Sequence, residues 1–234
     1  MTRVAIMQPA YLPWSGYFGL MQSVDLFIFL DSVQFARRSW QQRNQIKTAT
    51  GPQWLTVPVL VKGKRDQLIS QVEIDMAAGF DVAHCRALKF NYCQANHYQP
   101  YVDAIVALIE DPPPLLADLT IGCIEGMAQM LNIDTPTIRS STLNNIGTKA
   151  DLLASICQQV DATEYVSPPG SREYLEASDA FEKIGVPVRY FGYQHPVYHQ
   201  PFGDFLPYMS SLDMLFNCGE QSKLLIENGC KVSK

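Results

Sequence analysis

The sequence predicts an α/β fold: a mostly parallel sheet with flanking helices. Three observations predict it. Short, wholly apolar runs such as "VAI" at 4–6 and "LFIFL" at 26–30 read as strands buried on both faces. Segments with apolar residues three and four apart read as amphipathic helices. The two kinds of segment alternate along most of the chain, as a layered α/β sheet requires.

Taken in order, the strand at 4–6, a short crossover helix in "SGYFGLMQS" at 15–23 and the strand at 26–30 form a βαβ unit with parallel strands. Its strand–loop–helix corner parallels the first βαβ unit of nucleotidylyltransferases, although the HxGH histidines are missing and "PWSGYF" stands in their place. "PQWLTVPV" at 52–59 alternates apolar and polar residues behind the turn "TATGP", predicting a hairpin with the segment around 46–48. "SQVEID" at 70–75 is a further strand candidate. A helical insert at about 79–131 follows, with helices at 80–94, 98–109 and 115–131, the last two separated by the triple proline 112–114. The α/β rhythm then resumes: strand 135–141, helix 148–160, strand 163–167, helix 172–184, strand 186–193 and a closing helical segment at about 211–228.

With 234 residues, 47% of them hydrophobic and 18% charged, the chain is long enough to bury one core, and one domain over 1–234 is expected. The longest apolar run falls far short of the ~20 residues of a membrane span, and a signal-peptide pattern is missing at the start, so a cytoplasmic location is expected. Six cysteines without CxxC pairing read as free thiols of a reduced compartment. The net charge of −5 argues against nucleic acid as a partner. Yet Arg37, Arg38, Arg43, Lys47, Lys62, Lys64 and Arg65 fall in a stretch with no acidic residue, which predicts a local site for a small anionic substrate such as a nucleotide or nucleotide sugar.

In such sheets ligands sit beyond the carboxyl ends of the strands, which directs attention to the loops at 8–16, 31–47, 140–149, 167–174 and 194–210. In the first, Gln8, Tyr11, Trp14, Gly16 and Tyr17 surround a helix start, with Ser15 as its expected N-cap, where backbone N–H groups favour phosphate. In the second, Asp31 ends a strand, in position to hold a metal, a ribose hydroxyl or an amine. Gln34, Trp40, Arg43, Asn44 and Lys47 add donors and a stacking plane there, and arginine offers a planar fork to phosphate or carboxylate. Ser167 and Gly170 mark a second anion cradle. The aromatic stretch 193–213 brings Tyr198, Gln200, Ser210 and Asp213, and a single general base is expected there from His195 or His199, with His199 the catalytic candidate. The four-residue spacing of His195 and His199 is not read as a zinc pair, because Pro196 and Pro201 oppose a helix there.

"VAIMQPAYLPWSGYF", "VDLFIFLDSVQFARRSWQQRNQIK", "WLTVPV", "YVSPPGSREY" and "YHQPFGDFLPYMSSLDMLFNCG", in that order, resemble the WbqC-like protein family. Carried over position by position, the resemblance marks Gln8, Pro9, Pro13, Gly16, Tyr17 and Phe18, then Asp31, Gln34, Phe35, Trp40, Arg43 and Asn44, and finally Tyr198, Gln200, Phe205, Ser210, Asp213 and Asn217. The chain departs from the pattern at Ser32, where members often carry a second acid, and at Gln41 and Gln42. The resemblance implies a bacterial transferase of O-antigen, other surface-polysaccharide or natural-product biosynthesis that joins an amino acid, glycine for instance, to an amino sugar or similar acceptor. Activation by ATP with Mg²⁺ would serve such a reaction, with Asp31, Arg43, Asp213 and His199 as catalytic candidates. A binding protein without catalysis, or a hydrolase using Cys218 or His199, are the alternatives from other classes.

Overall fold

The computed structural model describes residues 2–233. The chain opens with β1 (Arg3–Met7), α1 (Ser15–Gln22) and β2 (Leu26–Phe29), then the hairpin β3 (Arg43–Thr48) and β4 (Gly51–Thr56). The helical insert follows as α2 (Phe80–Tyr92), α3 (Tyr98–Ala107) and α4 (Leu116–Met130). After it come β5 (Thr137–Arg139), α5 (Lys149–Gln159), β6 (Glu164–Ser167), α6 (Arg172–Glu176), α7 (Ala180–Ile184), β7 (Val188–Tyr193), α8 (Ser211–Cys218), α9 (Gln221–Gly229) and β8 (Cys230–Ser233).

Six strands form one sheet in the order β5-β2-β1-β6-β7-β8, parallel throughout except for the edge strand β8. The fold class expected from the sequence is therefore the one found. Successive residues of a strand face opposite sides. Val4, Ile6 and Ile28 accordingly pack with α5, α6 and α7 on one face, whereas Ala5, Phe27 and Phe29 pack with α1, the insert, α8 and α9 on the other. Burial on both faces is why these strands carry unbroken apolar runs instead of alternating ones. The hairpin forms its own two-stranded sheet, with Ile46 opposite Gln53.

Four local expectations are corrected. Ser15 begins α1 instead of capping it; Trp14 holds the cap position without a side-chain cap bond. The 70–75 segment is a 3₁₀ turn (Ile69–Gln71) followed by isolated bridges, Val59 with Ile74 and Glu73 with Leu115, and not a strand. The helix expected at 172–184 is two short helices, because Ser178 turns its hydroxyl to the Ala180 N–H and so favours a cap over a continuous turn. The closing segment breaks at Gly219 (φ 55°, ψ −132°), where a Cβ would also lie 2.4 Å from the His97 ring, and it ends in a strand that sequence reading did not assign.

Candidate functional site

The strand order fixes where a ligand can sit. From β1 the chain moves outward through β2 to β5, then crosses to the other side of β1 to lay down β6 and β7. The connections leaving β1 and β6 therefore run away from each other to opposite faces of the sheet, leaving a crevice beyond their carboxyl ends, where open α/β sheets bind ligands.

That crevice is present as two cavities. One, about 310 Å³, lies between the end of β1 (Met7 to Ala10), the 36–41 loop and the end of β6, with Tyr165, Pro168, Ser171 and Tyr174 as its far wall. The other, about 270 Å³, is bounded by Pro13, Trp14, Tyr17, Asn44 and Tyr208. Met7, Ala10 and Trp40 line both, so the two cavities adjoin there. A larger, more open depression of about 590 Å³ lies at the opposite edge, against the amino ends of β2 and β5 (Val24, Asp25, Thr135, Pro136), away from the strand ends that carry ligands in such folds.

The loop after β1 is held in a shape it would not adopt alone. Leu12 is fully buried with a left-handed backbone (φ 44°), costly for a branched residue. Asn44 Nδ2 donates to the Leu12 carbonyl (2.8 Å), the Tyr17 hydroxyl donates to the Gln8 carbonyl (3.2 Å), and the Tyr11 N–H donates to the Trp40 carbonyl (3.0 Å). Tyr11 itself is fully buried, and its hydroxyl meets His84 Nδ1 of α2 at 2.9 Å. Gly16 makes room for the Trp14 indole, since a Cβ there would lie 2.3 Å from the ring. The indole thus folds over the start of α1, against Tyr193, Tyr208 and His195.

The interior of both cavities is neutral. No Asp, Glu, Lys, Arg or His lines either one among the described residues. Tyr17 and Tyr165, both buried, are pushed up well above the ordinary phenol value by burial, so their hydroxyls stay protonated. Polarity comes from amides: Gln41 accepts the Ala36 N–H (2.9 Å) and donates to Gln8 Oε1 (2.8 Å), leaving the Gln8 N–H donors free at the lip. The rim is different. Trp40 (52% exposed) and Trp54 (40%) lie 5.2 Å apart, and the Arg43 guanidinium sits 4.1 Å over Trp54. Arg43 Nε is buried without a hydrogen-bond partner. An aromatic plane beside an arginine with unused donors suits a ring that carries a carboxylate or phosphate.

The remaining sequence candidates fall into three groups. Asp31 is fully buried and saturated, accepting from the Ser140 hydroxyl (3.1 Å), the Ser141 N–H (2.8 Å) and the Ser141 hydroxyl (2.7 Å). Asp213, also fully buried, accepts from Tyr92 (2.8 Å), Tyr198 (2.9 Å) and Gln200 (2.7 Å). Burial raises its carboxyl above the usual value, while those three donors and the nearby Lys47 oppose the rise. Lys47, 1% exposed, donates to the carbonyls of Gly203 and Asp204, and Ser210 caps α8. Ser167 is buried at the end of β6, its hydroxyl on the Pro168 carbonyl. Gln34, Gly170 and His199 are exposed, with Gln34 reaching the Arg65 carbonyl (3.3 Å) and Gly170 beside the β6 wall. Mg²⁺ does not fit the donor set: Asp31 and Asp213 are saturated, and no group of three or more His, Cys, Asp or Glu is placed to hold a metal among the described residues.

The structure thus brings Gln8, Trp14, Tyr17, Trp40 and Asn44 to the cleft itself, with Arg43 at its rim. Sequence reading missed Gln41, Trp54, Tyr165, Ser171, Tyr174 and Tyr208. Ser171 and Tyr174 belong to a loop already marked by its place after a strand, and Tyr208 to another. Trp54 carried a signal of its own, a large aromatic at a polar position of an alternating strand.

The sequence model of the WbqC-like protein family matches residues 8–224. An uncharacterized protein of Mycobacterium tuberculosis is 39% identical over 224 residues, covering 95% of this chain and 96% of that relative. No solved structure matches the chain. The match takes in every lining residue of the two cavities except Ile6 and Met7, and the chain belongs to the WbqC-like protein family.

Proposed function

We propose that this protein is a cytoplasmic transferase of surface-polysaccharide or natural-product biosynthesis that joins an amino acid to an amino sugar or similar small acceptor. The observation that carries this reading is the pair of cavities meeting at Met7, Ala10 and Trp40 beyond the ends of β1 and β6. A group-transfer enzyme must hold two small molecules side by side, and two adjoining cavities that share Met7, Ala10 and Trp40 suit that requirement. The acceptor amine attacks the acyl carbon of an activated amino acid, a C–N bond forms, the bond to the activating group breaks, and the amine proton leaves with that group. Positioning supplies the rate, because holding both reactants in line removes most of the entropic barrier. Trp40 offers a face to a sugar or base, the Gln8 amide donates to hydroxyls or carbonyls, and Arg43 takes the anionic part of the activated donor.

Thermal unfolding in the presence of ATP, UDP-sugars and amino acids, with and without Mg²⁺, tests this. A ligand at 100 times its Kd adds about 2.7 kcal/mol to stability. At least one nucleotide or nucleotide sugar raises Tm, and Arg43→Gln removes the increase without lowering the ligand-free Tm. No increase from any of these ligands would overturn the reading. The neutral lining favours a second reading, a sugar-nucleotide-binding protein without catalysis, since no Asp, Glu, Lys, Arg or His lines either cavity among the described residues. Turnover abolished by Arg43→Ala would overturn that one.

A further inference from the structure

On the reverse side of the 35–37 segment lies a basin of about 480 Å³ lined by Phe35, Arg37, Val61, Gly63, Lys64, Arg65 and Gln67. Ala36 faces the cleft, and its neighbours Phe35 and Arg37 face this basin. The basin is built, not incidental. The Phe35 N–H donates to the Gln67 carbonyl (3.0 Å) and the Ile69 N–H to the Val33 carbonyl (2.9 Å), so 33–35 and 67–69 are clasped as a short antiparallel pair. Gly63, with φ +74°, turns the loop so that Lys64 and Arg65 follow directly.

Two independent features mark the basin as polar and unfinished. Its charged lining is wholly cationic; of the neighbouring acids, Glu73 is the ion-pair partner of Lys64, and Asp66 accepts from Gln34 Nε2 (3.3 Å). The Gln67 side chain is buried at both Nε2 and Oε1 with no hydrogen-bond partner for either. Leaving an amide unpaired is costly, and a polar group that enters the basin relieves that cost.

We propose that this basin is a binding site for a phosphate-type anion, the phosphate or diphosphate of a small molecule. Arg37 and Arg65 supply the charge, and the Gln67 side chain, whose Nε2 is shielded from solvent and has no partner, turns toward the anion to donate a hydrogen bond. The site is separate from the transferase cleft and stands whether or not a ring ligand is found there. It accounts for a chain of net charge −5 keeping an acid-free basic stretch.

The test is a calorimetric titration with inorganic pyrophosphate at low ionic strength. Wild-type protein binds it. Arg37→Ala with Arg65→Ala abolishes measurable binding, and Gln67→Leu weakens it about tenfold, as loss of one hydrogen bond to a charged partner requires. Gln67→Leu also raises the ligand-free Tm, because a buried unpaired amide becomes apolar, which shows that the variant folds. Arg86→Ala, an exposed cation on α2 outside the basin, binds as wild type does. No heat with wild type, unchanged affinity in Gln67→Leu, or equal loss in Arg86→Ala would each overturn the proposal, the last by showing binding to net charge alone.

Discussion

The Asp213 network and the Trp40 rim are both polar, both aromatic and both marked by the family pattern, yet the structure gives them opposite states. Around Asp213 every donor has an acceptor: Tyr92, Tyr198 and Gln200 all end on one buried carboxylate, and the Lys47 N–H lies 3.0 Å from the Tyr92 hydroxyl. At the rim Trp40 and Trp54 stand exposed, and Arg43 holds its planar fork against an indole with Nε unpaired. A saturated network has nothing left to offer a ligand, so its value is structural: it ties the 198–206 segment to α2, β3 and α8. An unsaturated one costs stability and keeps its donors for something else. The distinction lies in hydrogen-bond saturation, not in residue type.

The sharpest way to break this comparison is to cut the network at its centre. Asp213→Ala leaves three buried donors without an acceptor and is expected to destabilise the protein by about 3–5 kcal/mol, read as a lower urea midpoint at unchanged slope. Loss of ligand binding with unaltered stability would instead move Asp213 from the framework to the site.

A second test uses pH. Burial holds the His84 imidazole down, from its ordinary value of 6.5 to about 4. A Thr56 backbone carbonyl faces the ring, so the neutral form donates there and accepts the Tyr11 hydroxyl at Nδ1. The folded value lies below the unfolded one, so this contribution is fully present above pH 6.5 and is lost as pH falls through 4. The gap corresponds to about 3 kcal/mol. Unfolding free energies measured from pH 7 to 4 are expected to fall more steeply for wild type than for His84→Gln, and parallel curves would contradict the assignment. Because Tyr11 links α2 to the loop after β1, acid should loosen the cleft wall before the sheet.

The sheet was largely legible because β1, β2 and β6 are buried on both faces and must read as apolar runs. The strand order was not, since nothing local in "TIR" or "EYVS" tells which side of β1 each will take; that choice rests on the crossovers. β8 escaped because four residues at the end of the chain carry too short a pattern. For the site, the loops were legible from their positions after strands, and Trp40 and Arg43 from their chemistry. The direction of Asp31 was not: its partners Ser140 and Ser141 stand 109 and 110 residues away, and no spacing rule connects them. A carboxylate at a strand end looks the same in sequence whether it faces a ligand or a neighbouring turn.

The smallest expected change in stability belongs to the rim, and there the comparison gains most. Trp40 is half exposed and makes its main ring contact with another exposed indole, so Trp40→Ala removes little buried area and is expected to cost less than about 1 kcal/mol. Its backbone carbonyl, which accepts the Tyr11 N–H, survives the substitution, so the cleft wall keeps its course. What disappears is the indole that lines both cavities, and with it the stacking face. Any nucleotide or sugar nucleotide that stabilises the wild-type protein should therefore fail to stabilise Trp40→Ala, and Trp40→Phe should recover most of the effect by restoring a ring. A measured loss of several kcal/mol in the ligand-free protein, with ligand stabilisation intact, would place Trp40 in the framework beside Asp213. The unsaturated rim would then rest on Arg43 and Trp54 alone.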